Sequence, residues 1–146
     1  MGRLLVVGLV ALGLVAACGG GSTRLSKQEF AKRADALCTK YASDLKKLGQ
    51  PQSFPELATF TDKAVPLAQK LIDDTKKLKP PKDEQALVDQ WNTQNQKVVD
   101  AIKALGDAAR KSDQKAAQSA LQTGDAANTT SNTLGKQLGM VACTKD

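Results

Sequence analysis

The stretch LSKQEFAKRADALCTKYASDLKKLG, residues 25–49, carries the signals of one complete amphipathic helix. Ser26 and Glu29 form a capping box, and Leu25 and Phe30 stand at the two positions of a hydrophobic staple. The pattern predicts a first helix that is capped by Ser26 and ended by Gly49. Its apolar residues recur every three or four positions, which is the period of one helix face, at Phe30, Ala34, Leu37, Tyr41, Leu45 and Leu48.

A second helix is predicted from the same kind of start. Ser53 and Glu56 repeat the cap, with a proline in the first turn, where its missing N–H costs nothing. Pro66 stands inside this helix, so we expect a kink one turn before it. The run Lys79-Pro80-Pro81-Lys82 ends the helix. The predicted apolar positions are Leu57, Phe60, Ala64, Leu67, Leu71 and Leu78.

Two more helices complete the chain. The third is predicted to begin at Pro81 or Asp83, and the polar residues Gln94 and Asn95 interrupt its apolar repeat. The fourth is predicted to begin at a Ser112 cap and to end at Gly139. The apolar positions are Leu87, Trp91, Val98, Ile102, Leu105 and Ala109 in the third helix, and Ala116, Ala120, Ala127, Leu134, Leu138 and Val141 in the fourth.

Four helices with short connections favour an all-α fold, an antiparallel up-down-up-down four-helix bundle. The composition agrees, because aromatic residues make up only 3% of the chain and strands are usually rich in them. In this arrangement the end of the fourth helix lies beside the start of the first. Cys38 stands at the edge of the first helix's apolar face, three turns into it, so the segment after Gly139 must pack alongside that helix for Cys143 to reach it.

The residues that precede this bundle have the pattern of a targeting segment. Arg3 precedes an apolar run, residues 4–14, that is too short for a transmembrane helix, which needs about 20 residues. Val15-Ala16-Ala17-Cys18 resembles the lipobox of bacterial lipoproteins. The resemblance implies cleavage after Ala17 and a diacylglycerol on Cys18. The alternative is an ordinary cleaved signal peptide with a chance cysteine.

The predicted organisation therefore has three parts. Residues 1–17 form a cleaved lipoprotein signal peptide, residues 18–24 form the lipidated cysteine and a flexible tether, and residues 25–146 form the helical domain. Acyl chains on Cys18 would hold the protein stably at a membrane. The tether spans about 13 Å on average if it behaves as a Gly/Ser random coil. We expect an extracytoplasmic protein, anchored by lipid at the outer face of the cell membrane.

Two cysteines remain for the folded domain, Cys38 and Cys143. Outside the cytoplasm two cysteines most often form one disulfide. Such a bridge would close a loop of about 105 residues and stabilise the fold by about 4–5 kcal/mol in the chain-entropy account. The alternative is a pair of free, buried thiols.

Three short segments resemble a group of small exported lipoproteins of high-GC Gram-positive, actinobacterial type. They are Phe30 with Ala34-Asp35-Ala36-Leu37-Cys38, then Leu78-Lys79-Pro80-Pro81, and Val141-Ala142-Cys143. The resemblance is most specific around the two cysteines and implies the disulfide and the helical bundle. It gives no information about activity, cofactors or partners.

The composition argues against several classes of function. The chain has no histidine, which removes the commonest metal ligand and the usual general base near neutral pH. We therefore expect no enzyme, no metal site and no cofactor. The net charge is +6, and +5 after residues 1–17 are removed, because Arg3 is the only charged residue among them. This charge favours anionic lipid head groups or wall polymers as partners, whereas nucleic acid is a poor candidate for an exported chain with few aromatic residues.

Two groups of residues are candidates for binding. Lys76, Lys77, Lys79 and Lys82 cluster after the second helix and are predicted to face an anionic surface, or else simply to solvate a helix C-terminus. Gln94 and Asn95 are predicted to lie opposite Ala127 and Asn128 and to line a small cavity near Trp91. The alternative is close packing of small side chains with an internally satisfied amide.

These predictions describe a lipid-anchored cell-envelope protein that acts as a non-enzymatic binding or interaction module. The alternative is a carrier of a small apolar or lipid-like ligand inside the bundle. A cavity beside Trp91 would favour the carrier, and a contiguous exposed apolar patch would favour an unknown protein partner.

Overall fold

The computed structural model describes residues 24–145, and it is helical. No strand occurs within that range, and the structure confirms the predicted all-α, antiparallel four-helix bundle. Consecutive helices pack against one another, most extensively α3 with α4. The four helices are α1 (Lys27–Lys46), α2 (Phe54–Lys76), α3 (Gln85–Arg110) and α4 (Gln114–Gln137), with short 3-10 turns at Lys82–Glu84 and Ala142–Thr144.

Several helix ends are built as their sequences predict. The Ser26 hydroxyl accepts the Glu29 amide N–H at 3.2 Å, and Glu29 reaches back, so the capping box is confirmed. The Ser53 hydroxyl caps α2 by accepting the Glu56 N–H at 3.4 Å, but Glu56 accepts from the Gln52 N–H at 2.8 Å and not from Ser53, so no second capping box forms. Gly49 and Gly139 follow α1 and α4 with φ values of 79° and 80°, a left-handed conformation that glycine adopts without steric penalty.

The predicted cap of the fourth helix is wrong by one residue. The Asp113 carboxylate, and not the Ser112 hydroxyl, accepts the Ala116 N–H, at 2.9 Å. Ser112 has a φ of 52° because it belongs to the turn that ends α3, in which the Asp113 N–H donates to the Ala108 carbonyl. A helix cap needs extended backbone, which only Asp113 has here.

The start of the third helix differs from the expectation. It lies at Gln85, after a 3-10 turn, and not at Pro81 or Asp83. The second helix continues through Pro66, from Phe54 to Lys76, so the proline does not end it.

The buried face of α1 is rotated relative to the predicted one. Cys38 is only 7% exposed and belongs to the core, together with Phe30 and Ala34, whereas Leu37 is half-buried. The prediction that Cys38 lies at the edge is therefore wrong. The rotation arises because α1 packs on the C-terminal segment as well as on α2.

The contact between α3 and α4 depends on small side chains. The buried face of α4 contains alanine, serine and glycine, and Ala116 and Val141, which were predicted for this face, are exposed. A similar close approach joins α2 to α3, where a Cβ on Gly106 would overlap the Thr61 hydroxyl. The buried small residues of α4 are Ala117, Ala120, Ala127, Ser131 and Gly135.

The closing contact of the bundle is made by residues 140–145, here called the tail. After Gly139 the chain turns back and packs against both α1 and α4, whereas α1 and α4 pack little against each other. Cys143 is bonded to Cys38 with an S–S distance of 2.05 Å, which confirms the predicted disulfide. One turn earlier, the Asp35 carboxylate accepts the backbone N–H groups of Val141, Ala142 and Cys143 at 2.7–3.1 Å.

Replacing Asp35 with alanine is expected to loosen the tail while leaving the disulfide in place. Hydrogen bonds to a charged group contribute about 1.5–3 kcal/mol, so Asp35→Ala should lower the free energy of unfolding by about that amount. Asp125→Ala, at an exposed carboxylate of α4, is the control and should change it by no more than about 0.5 kcal/mol. Urea unfolding measures both, and faster amide exchange at residues 141–143 should accompany only Asp35→Ala. Equal losses in the two variants would refute a specific role for Asp35.

Candidate functional site

A cleft opens beside Trp91 where α1 stands away from α4. Its volume is about 480 Å³, within the range of about 300–1,000 Å³ that is usual for small-molecule sites. Its walls come from all four helices and the tail. The lining side chains include Cys38, Tyr41 and Leu45 of α1, Leu71 and Ile72 of α2, Trp91, Asn95, Val98 and Val99 of α3, Asn128 of α4, and Cys143 and Lys145 of the tail. We call this space the Trp91 cleft.

The tail explains why the cleft exists. Within the described residues, it fills the space between α1 and α4 at the end of the bundle that contains residue 24, where Cys143 is bonded to Cys38 in the middle of α1. Toward the turn between α3 and α4, no element of residues 24–145 covers the space between α1 and α4. The disulfide and Ala142 therefore form one wall of the Trp91 cleft.

The lining of the Trp91 cleft is mainly apolar. Its polar groups are few: the Asn95 amide donates to the Trp91 carbonyl at 2.9 Å, and burial raises the pKa of the Tyr41 phenol. Among the described residues, Lys145 is the one cation that lines it, and no aspartate or glutamate does. Such a lining suits the binding of an apolar molecule, because it offers apolar area with a small number of polar contacts.

Trp91 is a fixed wall of the cleft. Its side chain is 1% exposed, and its indole N–H has no hydrogen-bond partner in the described part of the chain. A Cβ on Gly135 would lie 3.5 Å from the indole nitrogen and 2.7 Å from Thr144 Cγ2, so a glycine is needed where α4, the tail and the indole meet. Because the chain contains a single tryptophan, its fluorescence reports on this wall alone.

The structure brings together three of the four residues predicted to line a cavity. Trp91, Asn95 and Asn128 line the Trp91 cleft, whereas Gln94 lines a separate surface depression on another side of α3 and α4. Adjacent residues on a helix point about 100° apart, so Gln94 and Asn95 cannot face the same space.

Sequence reasoning missed the contribution of α1 and the tail to the cleft. Tyr41, Leu45 and Lys145 line it, although the cavity was predicted between the third and fourth helices. The position of Cys143 in the sequence could have indicated this contribution. Cys143 can reach Cys38 only if the tail lies between α1 and α4, and a tail in that place separates the two helices.

The four predicted surface lysines are exposed at one end of the bundle. Lys76 and Lys77 end α2, and Lys79 and Lys82 follow it. Residue 24 lies at the same end, because the Leu25 N–H donates to the Lys79 carbonyl at 2.7 Å. A chain that precedes Arg24 therefore enters the bundle beside these lysines.

The four lysines are not equivalent. Lys77 is paired with Asp74 at 2.7 Å, and hydrogen bonds from Lys70 and Lys77 lower the Asp74 pKa to about 2. Lys76, Lys79 and Lys82 form no ion pair with any residue that the structure describes. They are the three free cations of this group.

The structure of residues 24–145 also bears on metal binding and on membrane spanning. No group of three or more histidine, cysteine, aspartate or glutamate side chains is placed to hold a metal ion there. No helix in that range is long and apolar enough to span a bilayer. Residues 1–23, with the predicted signal peptide and Cys18, lie outside the described residues.

Comparison with known proteins identifies no relative of this chain. The chain matches no family model, no curated protein and no solved structure. The resemblance to actinobacterial lipoproteins and the lipidation of Cys18 therefore stay predictions.

Breaking the disulfide is expected to disturb the Trp91 cleft as well as the stability. Cys143→Ser should lower the free energy of unfolding by about 4–5 kcal/mol in the chain-entropy account, because the bond closes a loop of 105 residues. The Trp91 emission maximum should move to longer wavelength at a temperature where the variant is still folded, since the tail would no longer shield the indole. Urea unfolding, circular dichroism and fluorescence measure these effects. A folded variant with unchanged emission would show that the tail is not needed to form this wall.

Proposed function

We propose that this chain is a non-enzymatic, lipid-anchored binding protein of the bacterial cell envelope, and that the Trp91 cleft is its binding site for a small apolar ligand. The observation that carries this proposal is the cleft itself, about 480 Å³ of mainly apolar space beside a buried tryptophan. A preformed cleft of this size buries most of the surface of a small ligand. Binding there requires no catalytic group.

The anchor is supported by the sequence before the bundle. The short apolar run and Val15-Ala16-Ala17-Cys18 are typical of a lipoprotein signal, whose cysteine carries diacylglycerol. The disulfide agrees with a place outside the cytoplasm, where such bonds persist. Anchored in this way, the bundle would lie close to the outer face of the cytoplasmic membrane.

Carriage of a ligand is favoured over docking of a protein partner. In the described range the large apolar side chains that are exposed are Leu121 and Val141, at 52% and 63%. They stand on different elements, α4 and the tail, and do not form the contiguous patch that a protein interface needs.

The free lysines support a second contact with the membrane. Lys76, Lys79 and Lys82 are unpaired and lie where the chain enters the bundle, so an anchored bundle would hold them near the lipid head groups. Each lysine close to an anionic surface contributes about 1 kcal/mol. Lys77, already paired with Asp74, would contribute less.

A mass spectrum of the protein extracted from its own membranes tests both the anchor and the ligand. Under denaturing conditions we expect loss of residues 1–17, added acyl mass on Cys18 and a mass two hydrogens below that of the reduced chain. Under native conditions we expect an additional mass that denaturation removes. An unmodified Cys18 would contradict the anchor, and a native spectrum of the bare lipoprotein alone would contradict carriage.

Neutralising the free lysines is expected to weaken adsorption to an anionic membrane. The chain from Gly19 to Asp146, which lacks the lipid, should bind vesicles of mixed phosphatidylglycerol and phosphatidylcholine about 100-fold less tightly when Lys76, Lys79 and Lys82 are glutamine. The matched control changes Lys46, Lys63 and Lys111 to glutamine, which removes the same charge near the opposite end of the bundle. Vesicle sedimentation measures both. Equal weakening by the two triple variants would mean that only net charge matters and would contradict a docking face.

A further inference from the structure

We propose, on the basis of the proposed function, that the ligand is a single linear acyl chain with an anionic head group. The head lies beside Lys145, and the chain runs along α3 toward Leu121. The ligand class and its direction of binding are thereby specified for the Trp91 cleft.

A second, smaller cavity adjoins the Trp91 cleft. It has a volume of about 230 Å³, lies between α3 and α4, and shares Val98 and Asn128 with the Trp91 cleft as walls. Its other lining residues include Ile102, Leu105 and Leu121. We call the two adjacent spaces together the acyl groove, and the proposal requires a ligand to pass from one to the other across Val98 and Asn128.

The acyl groove is long in the direction of α3. Trp91 and Leu105 are fourteen residues apart on α3, which corresponds to about 21 Å along the helix. The groove follows this helix axis, so it is much longer than the cleft beside Trp91 alone. A compact molecule would occupy only the Trp91 end, whereas a linear chain would contact the groove along its length.

Leu121 lies at the far end of the acyl groove. It is 52% exposed and lines the same cavity as Val98, Ile102 and Leu105. A single exposed apolar side chain needs no partner on its own account, but this one continues the apolar lining of the groove. A chain that extends past Val98 would cover it, and burial of this apolar area would favour binding.

The two ends of the acyl groove differ in charge. Lys145 lines the end that the tail closes, and no carboxylate of residues 24–145 lines the Trp91 cleft. Asp125 lines the far cavity, so a negative head group is disfavoured there. The charges therefore orient the ligand with its anion toward the tail. A carboxylate and a lysophospholipid phosphate share this chemistry.

The test is a titration of Trp91 fluorescence in the chain from Gly19 to Asp146, which contains the whole described bundle. The ligands are octanoate, decanoate and laurate, each below its micelle concentration. We expect saturable changes whose affinity rises about fourfold for each added methylene, because each one is removed from water. Dodecanol and dodecyltrimethylammonium, with the same chain and no anion, should bind at least about tenfold more weakly than laurate.

Paired variants locate the two ends of the ligand. Leu121→Gln should reduce laurate affinity about fivefold and octanoate affinity little, and Val141→Gln, at the other exposed apolar residue, should change neither. Lys145→Gln should abolish the preference of laurate over dodecanol, whereas Lys136→Gln, at an exposed lysine of α4, should keep it. Circular dichroism checks that every variant is folded. If Leu121→Gln and Val141→Gln have the same effect, the chain does not follow the acyl groove and the proposal is wrong.

The source of the anion is distinguished by a second ligand. Lauroyl lysophosphatidylglycerol in place of laurate separates a membrane lipid from a free fatty acid, because the tighter binder identifies the head group. Either result supports the proposal. If both bind no better than dodecanol, an anionic head group is excluded and the proposal fails.

Two outcomes separate this inference from the proposed function. If toluene, a compact apolar probe, saturates the Trp91 signal and the carboxylates show no dependence on chain length, the cleft still binds ligands but the acyl-chain inference is wrong. If no probe gives a saturable change, both proposals fail. Sedimentation equilibrium adds a third outcome, since a stable dimer that laurate does not dissociate would mean that a second copy covers the groove and would overturn the inference.

Discussion

The bundle depends on the attachment of the tail to α1. Asp35 and Cys38 stand one turn apart on the same face of α1, and together they hold residues 141–143 through three amide groups and one covalent bond. In a simple four-helix bundle, the first and last helices would close the structure by packing against each other. Here the tail lies between them, and the core at this end contains Phe30 and Cys38 together with Met140 of the tail.

The site follows from the path of the tail. As far as the structure describes it, the tail reaches the middle of α1 and leaves open the space up to the turn between α3 and α4. The open half of that space keeps an apolar lining, because the helices that form it still present their inner faces to it. The strongest charge pairing lies elsewhere, on the surface, where pairs of lysines lower the pKa values of Asp44 and Asp74 to about 2. The described walls of the cleft are thus mainly apolar, with the single charge of Lys145, a lining that suits the binding of an apolar molecule.

The parts of this fold that follow from local chemistry could be predicted from the sequence. Helix starts at Ser26 and Ser53 and a stop at Gly139 rest on hydrogen bonds and backbone angles within a few residues, so each is visible in a short window. The prediction of a Ser112 cap was wrong, although it rested on the same kind of local signal as the caps at Ser26 and Ser53. Serine is a good cap, but the end of α3 already required that residue to adopt a left-handed conformation.

The sequence by itself determined that the chain forms four amphipathic helices, that they bundle, and that two cysteines are available to join the first helix to the end of the last. These properties depend on periodicity and on residue type, which are local. Only the tertiary structure decided that Asp35 holds the tail, that Cys38 faces the core, and that Asn95 but not Gln94 lines the cleft. Each of these depends on the rotation of a helix about its axis, which is set by the element packed against it. For α1 that element is a short segment more than a hundred residues away in the chain.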